Sequence, residues 1–132
     1  MLKFSKDEIK FLCSLEEARI ATSHDDIAHV KPVSYIFHQN TILIATDYET
    51  RTFQNIKKNP RMAIVIDQYK SGGHKAVCLQ GKVDIIEKGK EFQLIYQLFY
   101  KNFKWVQDEP WGENEAPFLK FIPTNKTSWG IN

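Results

Sequence analysis

From Ala18 to Glu87 the chain runs in short β-branched and apolar segments separated by tight polar turns, and this rhythm restricts the fold more than any other feature. Arg19-Ile20-Ala21-Thr22 alternates polar and apolar residues and stops at His24-Asp25-Asp26, a turn-forming cluster. A second strand spans Ala28–Phe37 and carries Pro32, which cannot donate to a ladder and so marks an edge, a bulge or a place where something else approaches. His38-Gln39-Asn40 turns the chain again, and Thr41–Thr46 is a β-branched, apolar third strand that reads as buried. Met62–Ile66 is a fourth strand, and Ser71-Gly72-Gly73 loops into Lys75–Glu87, long enough for a bent fifth. Phe118–Ile122 and Lys126–Gly130 read as strand pieces on either side of Pro123. Strands joined in runs by tight turns imply an antiparallel sheet. This many in 132 residues imply a small closed barrel, mainly β, with flanking helices.

Three stretches have helical period instead. Ser5 and Glu8 have the spacing of a capping box, Phe4 and Ile9 that of a hydrophobic staple, and Ile9, Leu12 and Leu15 form a stripe, which predicts a helix over Lys6–Leu15. Phe53, Ile56 and Lys57 share one side of a short helix that Asn59-Pro60 ends. Gly89 opens a long helix whose apolar face is Phe92, Ile95, Tyr96, Phe99 and Phe103. Trp105–Ala116 reads as a loop with four acids, Asp108, Glu109, Glu113 and Glu115, beside Trp105 and Trp111. These two Trp either form the substrate-side wall of a pocket or plug the barrel end. With no repeat and no Gly/Ser linker, residues 1–132 form a single domain.

Composition narrows the function classes. Eighteen Lys and Arg against 16 Asp and Glu leave a net charge of +2, which gives no electrostatic reason to expect nucleic acid or a membrane surface as partner. No apolar run is long enough to span a bilayer, and Met1–Phe11 lacks a signal-peptide core, so a cytoplasmic protein is expected. Cys13 and Cys78 lie far apart in apolar stretches, where free thiols act as small buried hydrophobes. The chain carries no Gly-x-Ser-x-Gly elbow, phosphate-binding Walker loop, His-Glu-x-x-His or Cys-x-x-Cys. His24, His29, His38 and His74 fall in or near turns without helical ligand spacing. Only His24 and His29 could face each other across a hairpin, and no metal site is expected.

The stretch from Ile44 to Pro60 carries the chemistry. A buried strand ends at Thr46, a polar connection follows, and a helix begins near Thr50-Arg51 with hydroxyls, a guanidinium and unpaired backbone amides. Such a helix start can hold an anion, since its amides and partial positive charge face outward and an arginine adds a bidentate clamp. The same residues also fit a plain Thr cap beside a solvated arginine.

Ala18-Arg-Ile-Ala-Thr-Ser, Ala28-His-Val-Lys-Pro-Val-Ser34, the strand to Thr46, and Arg51-Thr-Phe-Gln-Asn-Ile-Lys-Lys-Asn-Pro-Arg61 follow one another in a series that resembles the pyridoxamine 5'-phosphate oxidase-like family, the flavin-binding split β-barrels. The likeness runs over roughly residues 9 to 87, and Pro123 to Trp129 is similar to the family's closing strand and its Trp. It implies a six-stranded antiparallel split β-barrel and a homodimer with FMN, or in related branches a deazaflavin coenzyme, at the subunit interface. By position, Lys31 matches a residue touching the cofactor phosphate, while Pro32, Val33 and Ser34 match the strand along the flavin ring. Thr46 matches a ring-contacting Thr, Arg51 the phosphate-binding Arg, and Trp129 an aromatic near the ring in the partner-completed site. Thr52 stands where the family usually has Lys, keeping a hydroxyl and losing a charge.

The resemblance thus implies an FMN-dependent oxidoreductase acting on a small organic molecule, with hydride or electron transfer supplied by the cofactor. A true pyridoxamine phosphate oxidase is not expected, because those enzymes finish with an Arg-x-His motif that does not follow Trp129 here. Two other readings stay open. One is a deazaflavin-dependent reductase using Lys57, Lys58 and Arg61 as a basic groove. The other is a non-catalytic flavin or haem carrier with His24, His29 or His74 as axial ligand. A barrel this small has little interior for a tricyclic cofactor, so a second chain would supply the other wall. An aromatic content of 13% suits both that interface and a flavin slot.

Overall fold

The period-two runs form six antiparallel strands in the computed structural model, which describes residues 2–131. They are β1 (Glu17–His24), β2 (Ile27–His38), β3 (Thr41–Ala45), β4 (Arg61–Gln68), β5 (Lys75–Ile86) and β6 (Phe118–Trp129). The barrel closes in the order β1-β2-β3-β6-β5-β4. Asp25 and Asp26 (φ 53° and 61°) and Gln39 and Asn40 (φ 48° and 64°) make the two-residue turns of the first hairpins, in the left-handed backbone that matches strand twist and that Asn and Asp tolerate. Four helices accompany the strands: α1 (Lys6–Ser14), α2 (Arg51–Lys58), α3 (Gly89–Asn102) and α4 (Lys104–Asp108).

The last two strand pieces are in fact one continuous strand. Pro123 lies inside β6 opposite Gly81, where the β5–β6 register shifts between Gln80 and Gly81. A bulge at this point absorbs a residue that cannot donate, and the backbones approach so closely that a Cβ on Gly81 would sit 2.2 Å from the Ile122 carbonyl oxygen. The expected Trp105–Ala116 loop likewise contains α4, because buried Val106 gives that segment a hydrophobic anchor.

Two apolar clusters result. The barrel interior holds Ile20, Tyr35, Ile42, Ile44, Ile64, Val77, Leu79 and Phe121, and α1 packs onto it through Phe11 and Leu12. Tyr35 donates its hydroxyl to the Leu12 carbonyl at 2.5 Å, and burial pushes its pKa up. The capping box forms as expected, yet α1 buries Glu8, Phe11 and Leu12 while Ile9 is exposed and Leu15 is only the C-cap. The helix is turned by Glu8, which Lys126 and Ser128 draw inward, and Phe4 packs edge-on against Phe37. Cys13 falls on the exposed side of this helix and Cys78 is half-buried, so neither is the buried hydrophobe expected. The second cluster lies outside the barrel. There Phe92, Ile95 and Phe99 of α3, with Phe103 and Val106, cover Leu43 of β3 and Phe118 of β6. None of the described helices is long and apolar enough to cross a membrane.

Candidate functional site

The link between β3 and α2 is held by a chain of hydroxyls. Thr50 caps α2 by accepting the Phe53 amide at 3.1 Å and gives its own proton to the Asp47 carbonyl at 2.9 Å. Thr46 Oγ1 lies 2.9 Å from Thr50 Oγ1, and since the Thr50 proton is already committed, Thr46 is the donor in that pair. The Thr46 oxygen therefore keeps its lone pairs out of that bond. The Arg51 and Thr52 amides have no carbonyl partner at this helix start. Arg51 is exposed and lines a cleft of about 210 Å³ with His24, Asp25, Ile27, Gln54, Asn55 and Lys58.

Two asparagines not singled out from the sequence set the helix in place. Asn55 Nδ2 donates to Thr22 Oγ1 at 3.0 Å in a buried contact, and Asn59 Nδ2 donates to the Ser23 carbonyl and hydroxyl, both at 3.2 Å. Asn55 and Asn59 have i, i+4 spacing and so share one side of the helix end, where buried polar groups need partners. Thr52 differs from its expected role. Its side chain is fully buried and its hydroxyl has no hydrogen-bond partner, so it turns into the protein rather than toward a phosphate.

β2 supplies the second group. Its Ile27–Ser34 half pairs only with β1, and β3 takes up Tyr35–His38, which leaves the outer edge of the first half unpaired. Lys31, Pro32, Val33 and Ser34 lie in this half. Pro32 is exposed, the other three are half-buried, and Val33 packs against the interior cluster. Ile27 and Val30 nearby are 63% and 67% exposed, an uncommon amount of water contact for branched apolar side chains. A groove of about 330 Å³ on the same flank is lined by Arg19, Ala21, Val30, Ala63, Val65 and Cys78, among others. The groove also takes in Asn125, Lys126 and Thr127 of β6, whereas α3 covers the other end of that strand at Phe118.

Trp129 is not with the other residues. β6 runs twelve residues from Phe118, beside Ala45, to Trp129, which separates the strand ends by on the order of 35 Å. Trp129 Nε1 donates to His74 Nδ1 at 3.3 Å, and His74 Nε2 lies 2.9 Å from Asp67, which also faces Arg19 at 3.6 Å. Since an indole only donates, Nδ1 accepts and Nε2 carries the proton toward Asp67.

Register pairs His24 with Ile27 and His29 with Thr22, so the two histidines are not directly opposite each other, and His24 contacts Asp25 at 3.2 Å. Lys57 is exposed above the Phe53 ring, Lys58 lines the Arg51 cleft, and Arg61 lines another on β4, so the three cations do not form one groove. Trp105 and Trp111 do not plug the barrel. They wall a cavity of about 700 Å³ that reaches Thr46 and is lined also by Asp47, Asp108, Glu109 and Glu115. Tyr48 closes the connection below by donating to Glu87 at 2.8 Å, and burial together with that carboxylate pushes its hydroxyl up to about 12.

A family model described as pyridoxamine 5'-phosphate oxidase matches residues 6–123, nearly the whole barrel. The chain belongs to the pyridoxamine 5'-phosphate oxidase family. No curated protein matches its sequence. Among solved structures, this family member is similar to the haem storage protein HutZ of Vibrio cholerae, with a TM-score of 0.80 at 13% identity over 96% of this chain and 94% of that one. It is also similar to an FAD-binding protein of Mesorhizobium loti, with a TM-score of 0.77 at 17% identity over 91% and 89% of the two chains. For an FAD-binding protein of Mycobacterium smegmatis the TM-score is 0.65 at 17% identity, over 90% and 88%. At these identities the shared property is the fold.

Proposed function

We propose that this family member is a homodimeric, FMN-binding oxidoreductase that acts on a small organic substrate in the cytoplasm. The observation that carries the reading is the β3–α2 junction, where an acceptor hydroxyl, an arginine and two amides without a carbonyl partner fall within seven residues. A phosphate would be held by the Arg51 guanidinium and the Arg51 and Thr52 amides, with Lys31 adding charge. The ring would lie along the free edge at Pro32, Val33 and Ser34, with Thr46 Oγ1 accepting from a ring N–H. The residues present fit such a group, although Thr52 contributes backbone only. When bound, FMN supplies hydride or electron transfer, and the chain's task is to bind it, orient it and exclude water.

Two features support a dimer. The groove that Val30 lines has no helix residue in its wall, and Trp129 lies too far along β6 to meet Thr46 of its own chain. Trp129 of the partner subunit would then complete the ring site. Free thiols at Cys13 and Cys78 agree with a reducing compartment. FMN is favoured over a deazaflavin coenzyme because Lys57 and Arg61 do not join Lys58 beside Arg51.

The second reading, a carrier of a flat ligand without turnover, draws on the likeness to the haem storage protein. Two of its three candidate ligands are engaged, His74 through both ring nitrogens and His24 with Asp25, which leaves it His29, whose buried Nδ1 has no partner among the described residues. The deciding experiment is the absorption spectrum of the purified protein with mass spectrometry of what it releases on denaturation. Flavin bands and released FMN support the proposal. A colourless protein that leaves added FMN fluorescence unquenched, or a Soret band on haem addition without flavin uptake, overturns it.

A further inference from the structure

The cavity of about 700 Å³ beside Thr46 has an unusual wall. Trp105 and Trp111 lie with ring planes 8° apart and centroids 6.1 Å apart, and Trp105 is 44% exposed. Both rings are fixed from behind. The Trp111 indole donates to the Ala116 carbonyl at 3.2 Å and its amide donates to the Tyr96 hydroxyl at 3.2 Å. Trp105 packs against Phe103 and Phe99 at 5.7 and 6.4 Å. Leaving a rigid indole open to water sacrifices hydrophobic burial, and a folded chain recovers that loss when the ring meets a ligand.

The charges around the rings select the ligand. Asp47, Asp108, Glu109 and Glu115 line the cavity, and no Lys, Arg or His does. Asp108 is bridged to Lys104 at 2.8 Å and Glu115 accepts the Gly112 amide at 2.6 Å, whereas the side chains of Asp47 and Glu109 form none of the ion pairs among the described residues. Indole faces attract cations through their quadrupole, and unpaired carboxylates do so through charge.

We propose that this cavity binds a small organic cation, an ammonium or pyridinium group carried on a flat apolar body. The body lies against the indoles and the charge faces Asp47 and Glu109. An anionic molecule of the same shape is excluded by the same four carboxylates. Because the cavity ends at Thr46, the cation would be the substrate of the flavin site. That role rests on the flavin reading, while binding itself rests on the cavity alone.

The test uses the full-length protein without added flavin, titrated with benzyltrimethylammonium, with benzyl alcohol as the neutral comparison and benzenesulfonate as the anionic one. Binding is followed by tryptophan fluorescence and calorimetry at low salt. The expected result is saturable cation binding at least about tenfold tighter than the alcohol, with no sulfonate binding. The D47N/E109Q double variant weakens the cation by about tenfold and leaves the alcohol unchanged, and W105L weakens both. Circular dichroism checks that each variant is folded. Equal affinity for cation and alcohol overturns the proposal, as does a cation affinity that the double variant leaves unchanged. A parallel FMN titration separates the two readings: cation binding without FMN uptake refutes the flavin site alone, and FMN uptake without cation preference refutes the cation site alone.

Discussion

Replacing Glu8 with alanine tests how the ends of the chain are tied together. The carboxylate is 6% exposed, accepts Lys126 Nζ at 2.6 Å and the Ser5 amide at 2.8 Å on one oxygen, and accepts the Ser128 hydroxyl at 2.8 Å on the other. It thereby pins α1 to β6 one residue before Trp129. Loss of half a capping box costs roughly 0.5–1 kcal/mol. Loss of the Ser128 bond costs roughly 1 kcal/mol. Lys126 is a quarter exposed, so breaking its pair falls between the surface and buried cases, roughly 1–2 kcal/mol. Together the loss is about 3 kcal/mol, which for a domain of this size lowers Tm by roughly 10 °C.

The effect depends on pH. Burial alone would raise the Glu8 pKa, but the Lys126 contact, the Ser5 amide and the Ser128 hydroxyl together hold the carboxyl below its usual range. A depressed folded-state value means that the stabilisation is complete above the unfolded carboxyl pKa of about 4.3 and drains away as pH falls through the folded value. Thermal melts of wild type and E8A from pH 7 to pH 3 should therefore show a wide gap that narrows below about pH 4. A gap under about 3 °C at neutral pH, or one that persists unchanged at pH 3, would refute the reasoning.

Four other substitutions probe α2, the anion site and the β5–β6 bulge. T52V removes a fully buried hydroxyl without a partner, so urea melts should show equal or greater stability, by up to about 1 kcal/mol, with FMN affinity unchanged; weaker FMN binding would mean that the hydroxyl meets the phosphate. R51Q should weaken FMN by roughly 10- to 100-fold in a fluorescence titration and flatten its salt dependence. N55A removes a buried bond to Thr22 and should cost about 1–3 kcal/mol in a denaturant melt, because it leaves that hydroxyl unpaired and loosens α2 on β1. G81A forces a Cβ against the Ile122 carbonyl and should give a protein that is insoluble or melts at least 10 °C lower, about 3 kcal/mol or more.

The barrel was legible because its signals are local. Asp25-Asp26 and Gln39-Asn40 announce two-residue turns, and the Thr41–Ala45 run is too short and too branched for anything but a strand. Long-range contacts were not legible. The proline in β6 suggested a break because Gly81, its compensating partner on β5, is 42 residues away in sequence. Ile9 looked like core until Lys126 and Ser128, on the last strand, turned Glu8 inward. At the site, the order of Thr46, Thr50 and Arg51 is written in the sequence, whereas the inward turn of Thr52 and the pinning by Asn55 and Asn59 depend on how α2 seats on β1. The role of Trp105 and Trp111 was open for the same reason. Only the packing of α3 and α4 outside the barrel decides that the indoles wall a cavity.

The central claim, an FMN site shared between two copies of this chain, is tested most directly by titrating ligand-free protein with FMN while its mass in solution is measured by light scattering. The expected result is saturable quenching of flavin fluorescence at one FMN per chain on a species of twice the chain mass, and loss of that quenching when Trp129 is replaced with alanine. A monomer, or a dimer that leaves FMN fluorescence unchanged, would contradict it.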